Sequence, residues 1–227
     1  ILKITLIFIF TFSINFSQKE VRILGGYNFS TLEYNLNQIN NSIDISTRKG
    51  LNIGFEYHYP RLIFGLRYLQ RGSELKQATT LNIGGVDYSI EISGYEVFNY
   101  ASGHLYYPFH INNKLKMFGG INIGYAIDGS SLANLNFTEF NSSRSDEISL
   151  ESKDFNLDAG LGIGIDYMFN DKVGIRASYY SGRNNVRKTL NDSLNFKNNS
   201  IELSAILNLE KLRKKQKNIV KKSENKT

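Results

Sequence analysis

The 227 residues include 19 Gly, 14 Tyr and 15 Phe against only 2 Pro and no Trp, which gives length for one β domain and a composition that leans to strands. Cysteine is absent, so a disulfide framework and a thiolate metal site are both excluded. The net charge of +6 lies wholly from residue 210 onward, where Lys211, Arg213, Lys214, Lys215, Lys217, Lys221, Lys222 and Lys226 outnumber Glu210 and Glu224. A basic tail on a neutral body is not a groove that tracks a phosphate backbone, and no nucleic-acid partner is expected.

Ile4 to Phe12 form an apolar run behind Lys3 that is too short to span a bilayer as a helix and has the proportions of a secretory signal. Residues 1–17 are therefore expected to be a signal peptide cut after Ser17, with more basic residues expected before Ile1. A buried first strand is the rival, and the lack of alternation in the run argues against it.

From there, period-two runs bounded by turn residues predict eight strands, at about 21–32, 48–59, 61–73, 93–107, 114–128, 153–169, 172–183 and 199–209. One face of each is apolar: Val21, Ile23, Tyr27 and Phe29 in the first; Leu51, Ile53, Phe55, Tyr57 and Tyr59 in the second; Leu62, Phe64, Leu66 and Tyr68 in the third. The fourth strand is ambiguous in register. The fifth carries Leu115, Met117, Ile121, Ile123, Tyr125 and Ile127, the seventh Val173, Ile175, Ala177 and Tyr179, and the eighth Ile201, Leu203, Ala205, Leu207 and Leu209. The sixth is the most informative. In LDAGLGIGIDYMF, Leu157, Ala159, Leu161, Ile163, Ile165, Tyr167 and Phe169 share one face, while Asp158, Gly160, Gly162, Gly164 and Asp166 share the other. Glycine weakens an exposed strand for no gain, so a glycine face points into a crowded interior. An apolar outside around a small polar inside is the pattern of a transmembrane β-barrel.

Connection lengths alternate. Residues 59–61, 109–113 and 170–171 are short turns, whereas 33–47, 74–92, 129–152 and 184–198 read as long polar loops. This predicts an all-β, eight-stranded antiparallel up-and-down transmembrane barrel over residues 18–209, with turns and both termini in the periplasm and loops outside. Residues 210–227 are expected to be a basic periplasmic tail, disordered or a short helix. In that topology Tyr27, Phe29, Tyr68, Tyr125 and Tyr179 fall in an outer aromatic girdle; Tyr57, Tyr59, Tyr106, Tyr107, Tyr167 and Phe169 fall in a periplasmic one.

The inward face carries charges of both signs: Glu56, Arg67, Arg71, Glu96, Lys116, Asp158, Asp166, Arg176 and Glu202. An eight-stranded barrel is just wide enough to be filled by its side chains, so these residues are expected to pair as a structural plug; an ion gate is the functional alternative. His58 and His104 lie inward near the periplasmic rim with His110 in the adjacent turn. No ligand spacing recurs and strand three separates the first two, so rim histidines with local partners are expected and a metal is not. Gly160, Gly162 and Gly164 lack the following helix that a dinucleotide loop needs, which makes them packing residues. No Ser, His and Asp set converges in sequence, so no catalytic residue and no cofactor is expected.

LKMFGGINIGYAI (Leu115 to Ile127) and DFNLDAGLGIGIDYMFNDKVGIRASYYSGRNNV (Asp154 to Val186), with the Phe-Ser-Gln signal end, resemble the PorT-like outer-membrane β-barrel proteins of Bacteroidota. The resemblance implies a small eight-stranded barrel in the cell outer membrane, most members of the group having no assigned activity. The expected function is a non-enzymatic structural or docking component whose partners are outer-membrane lipid and a protein met through the loops or the tail. Two rivals remain: a soluble periplasmic barrel holding a hydrophobic ligand, and an outer-membrane barrel enzyme such as a lipid hydrolase or protease.

Overall fold

In the computed structural model, which describes residues 20–35, 44–137, 142–188 and 195–212, nine antiparallel strands form one sheet. They are β1 (Glu20–Asn35), β2 (Asp44–Tyr59), β3 (Leu62–Ile83), β4 (Val86–His110), β5 (Leu115–Phe137), β6 (Ser142–Glu151), β7 (Asp158–Met168), β8 (Val173–Gly182) and β9 (Asn195–Asn208). The sheet closes on itself, because β1 pairs with both β2 and β9 and β4 pairs with both β3 and β5. Around the ring the order is β1, β2, β3, β4, β5, β7, β8, β9, so the wall has eight staves. The ninth strand, β6, pairs with the upper half of β5 above the stretch that pairs with β7.

Two of the expected loops are strand instead. Residues 74–92 continue β3 and β4 to a turn in which Gly84 and Gly85 hold φ of 63° and 86°, a backbone that glycine adopts without penalty and that matches strand twist. The Gly-Gly pair between alternating apolar residues is itself a hairpin signal that a count of polar residues hides. Residues 129–137 likewise continue β5 and residues 142–151 return as β6, after which Ser152–Asp154 make a single 3-10 turn before β7. The expected loops at 33–47 and 184–198 also shorten, since β1 runs to Asn35, β2 starts at Asp44 and β9 at Asn195.

At the opposite end the connections are tight for a visible reason. Asn112 Oδ1 accepts hydrogen bonds from the N–H groups of Lys114 and Leu115, both at 2.8 Å, and Asn170 Oδ1 accepts from Lys172 and Val173 at 2.9 and 3.0 Å. The same side-chain device closes both turns.

The expected faces hold. Ile23, Leu51, Ile53, Phe55, Leu66, Ile121, Ile163, Ile175, Ile201 and Leu203 all stand on the outside of the ring and are exposed, Ile163 at 61%. The reading in which the aliphatic faces turn inward around a ligand is not the arrangement found. In β4, Glu96, Phe98, Tyr100, Ser102, His104 and Tyr106 point in, while Leu105, Tyr107 and Phe109 point out. Tyr106 is thus a correction: it is 3% exposed and belongs to the interior, not to a girdle, because the period-two register allows only one of Tyr106 and Tyr107 to face out. Residues 1–19 and 213–227, with the expected signal peptide and most of the tail, lie outside the described residues; residues 209–212 form a helical turn.

Candidate functional site in the barrel interior

The interior is filled in layers. Nearest the tight turns, Arg176 on β8 donates from Nε and Nη2 to the two oxygens of Asp166 at 2.7 and 3.0 Å and from Nη1 to Glu56 at 2.5 Å. Arg22 on β1 adds a bond to Asp166 at 3.2 Å and one to Glu20 at 2.7 Å. His58 Nε2 lies 2.7 Å from one Glu56 oxygen, and His104 Nε2 lies 2.8 Å from the other. His104 Nδ1 accepts from Arg67 Nε at 3.2 Å, which leaves the ring proton on Nε2. His110 ends β4 and is exposed.

The middle layer is organised by Glu202 and Asp158. Glu202 takes Arg67 at 2.5 Å and Arg71 at 3.3 Å; Asp158 takes Arg71 at 3.0 Å, Asn198 at 2.8 Å and the Tyr180 hydroxyl at 2.6 Å. Arg67 also donates to the Tyr106 hydroxyl at 2.8 Å, and the Arg71 guanidinium stacks 3.9 Å above the Tyr180 ring. Glu96 stands apart at the far end, bonded to Arg187 at 2.5 Å and to Ser131.

Of the nine charges expected in the lumen, eight are buried and seven of these meet in one connected network. Lys116, opposite Asp166 in the ladder, is half-buried near the turn-side mouth. Buried Glu56, Glu96, Asp158, Asp166 and Glu202 are matched by Arg22, Arg67, Arg71, Arg176 and the partly exposed Arg187. Such balance is what a low-dielectric interior requires, since an unpaired buried charge costs several kcal/mol.

Sequence reasoning missed Arg22, Tyr100, Tyr180 and Asn198. Parity alone places Arg22 inside, between outward Val21 and Ile23, and Tyr180 inside beside outward Tyr179. The glycine run on β7 shows what it accommodates. A Cβ at Gly162 would fall 2.8 Å from the Tyr106 hydroxyl, one at Gly160 would fall 2.7 Å from the Tyr180 ring, and one at Gly164 would strike the Phe118 ring. Gly162 and Gly164 yield their space to an aromatic from another stave, and Gly160 yields to the Ser181 carbonyl as well as to Tyr180.

The far end carries an apolar cap. Phe155 (before β7), Val186 (after β8) and Phe196 (in β9) pack with Leu32, Leu69 and Phe98, and Val186 is fully buried. Backbone bonds from Asn156 to Val186 and from Val186 to Phe196, at 2.9 and 2.8 Å, fold these segments inward across the opening. At the turn end a polar pocket of about 290 Å³ is lined by Glu20, Arg22, Lys114, Asn170, Asn208 and Lys211. Among the described residues, no group of three or more His, Asp or Glu side chains is placed to hold a metal ion.

A closed antiparallel ring, apolar outside and filled with paired polar groups inside, defines the class: a small outer-membrane β-barrel. The outer membrane protein β-barrel domain family matches residues 5–207, and the chain belongs to that family, which implies an outer-membrane location. No curated protein matches the chain in sequence. Solved structures similar to it include Ail, the attachment invasion locus protein of Yersinia pestis, 16% identical, covering 84% of this chain and 99% of that chain at a TM-score of 0.43. Neisserial surface protein A is 13% identical over 84% and 99% of the two chains at 0.42. The outer membrane protease OmpT of Escherichia coli is 8% identical over 87% and 99% at 0.40. The family assignment rests on the family match and not on these likenesses.

Proposed function

We propose that the protein is a non-enzymatic component of the outer membrane: a plugged barrel that conducts nothing and carries a docking surface outside the cell. The resemblance of Leu115–Ile127 and Asp154–Val186 sets it with the PorT-like group of its family. The tight turns and both termini face the periplasm, and the strands beyond the ring face outward. Tyr27, Phe29, Tyr68, Tyr125 and Tyr179 form the outer aromatic girdle; Tyr57, Tyr59, Tyr107, Tyr167 and Phe169 form the periplasmic one. What supports this orientation is that the long hairpins all leave from one end of the ring.

The observation that carries the reading is the closure of the lumen. Its charges are bonded to one another and its outer mouth is sealed by Phe155, Val186 and Phe196. Side chains so engaged favour a filled lumen over an open pore. Reconstitution in a planar lipid bilayer tests it: no steady current is expected, and a large stable conductance overturns the plugged barrel.

A further inference from the structure

Beyond the ring, β3, β4, β5 and β6 continue side by side, and β6 is the last strand of that projecting sheet. It pairs with β5 along its whole length, from Phe137 opposite Ser142 to Asp128 opposite Glu151. Its other edge pairs with no described strand, and every residue of β6 except Leu150 is exposed. Along Ser142–Leu150 the N–H and C=O groups that face this edge pair with no described strand, a ready template for another chain.

The two faces beside that edge differ in chemistry. Ile148, 57% exposed, lies on the face that continues into the apolar cap through Leu150. Glu147 and Glu151 lie on the opposite face, and Asp128 sits directly across from Glu151. We propose that the free edge of β6 takes up, as an added strand, an extended segment of a soluble protein outside the cell in which apolar and basic residues alternate. Main-chain bonds supply the affinity. The alternation sets apolar side chains beside Ile148 and cations beside Glu147 and Glu151. The inference rests on the outward orientation proposed above.

A second copy of the chain does not fit this edge. Two barrels inserted alike in one membrane are related by a twofold along the membrane normal, so their β6 strands run in the same direction. Such an axis sets equivalent N–H groups against each other across the seam. An antiparallel seam would need one barrel upside down.

The experiment is amide hydrogen exchange on the purified full chain in detergent micelles, with a blocked nine-residue peptide alternating Val and Lys as the probe. At saturation, alternate amides between Ser143 and Ser149 are expected to slow at least tenfold. The substitution Glu147→Lys, at an exposed side chain, is expected to weaken binding at least tenfold, and Glu151, paired with Lys153 at 2.8 Å, is left in place. No slowing, or equal slowing by a peptide alternating Val and Glu, overturns the proposal. Labelling of Ser145→Cys on intact cells by a membrane-impermeant maleimide separates the two levels: if it is not labelled, the outward orientation fails and takes this proposal with it. If it is labelled while the β6 amides ignore the peptide, only the edge proposal fails.

Discussion

His104 and Glu56 lie on β4 and β2, with β3 between them, yet His104 Nε2 is 2.8 Å from Glu56 Oε1. They meet over Gly65, which is opposite Glu56 in one ladder and opposite His104 in the other. A Cβ at Gly65 would lie 2.7 Å from Glu56 Cγ and 2.8 Å from His104 Cε1, closer than carbon atoms approach. The absence of a side chain on one stave is what lets its neighbours touch across it.

Gly65→Val should therefore separate Glu56 from His104 and overpack the interior, with a loss of about 1–3 kcal/mol. The temperature at which the folded band is lost in unboiled gel electrophoresis reads this directly. A variant as heat-resistant as the parent would mean that the two residues do not need that gap.

Arg176 is shared between Glu56 and Asp166, both fully buried. Arg176→Ala leaves buried Glu56 with no guanidinium and Asp166 with Arg22 alone, and should cost about 3–5 kcal/mol. Urea unfolding in micelles, followed by the emission of the 14 tyrosines in a chain without Trp, supplies the number. A loss below ~1 kcal/mol would contradict the linkage drawn here.

The outer wall offers a contrast between two exposed positions. Ile163 stands on the outside of the ring at mid-strand, and Ser149 is exposed on β6 beyond it. Against lipid, Ile163→Arg should cost about 2–4 kcal/mol, whereas Ser149→Arg should stay within ~0.5 kcal/mol. Equal tolerance of both would mean that Ile163 faces water.

Orientation is checked by cysteine labelling, since the native chain has no thiol to interfere. On intact cells, a membrane-impermeant maleimide should label Ser145→Cys, and should label Asn113→Cys only after the outer membrane is breached. The reverse pattern would turn the barrel over.

Much of the architecture is legible without coordinates because strand side chains alternate strictly. The apolar sets headed by Ile23, Leu51, Ile121 and Ile175 announce their lipid-side face, and the short turns at Asn112 and Asn170 announce the end at which strands reverse. The lengths of β3 to β6 were less legible, for Asn, Ser and Thr fill the stretches that project beyond the apolar wall and mask the alternation that Leu81, Ile83, Val86, Tyr88 and Ile90 keep. Tyr106 went astray for a related reason: a Tyr-Tyr pair hides the register that His104 and Ser102, both buried, set.

What the chain determines by itself is each strand's two faces and the identity of the inward charges, because period-two alternation is a local property of the backbone. Only the tertiary structure decided how those charges meet. Arg71 bridges Asp158 and Glu202, 87 and 131 residues away, and Arg176 reaches Glu56 across 120 residues, contacts set by ring closure and stagger. The apolar cap is likewise tertiary, since Phe155, Val186 and Phe196 lie in connections or at a strand's start and become an interior only when the ring brings them over its mouth.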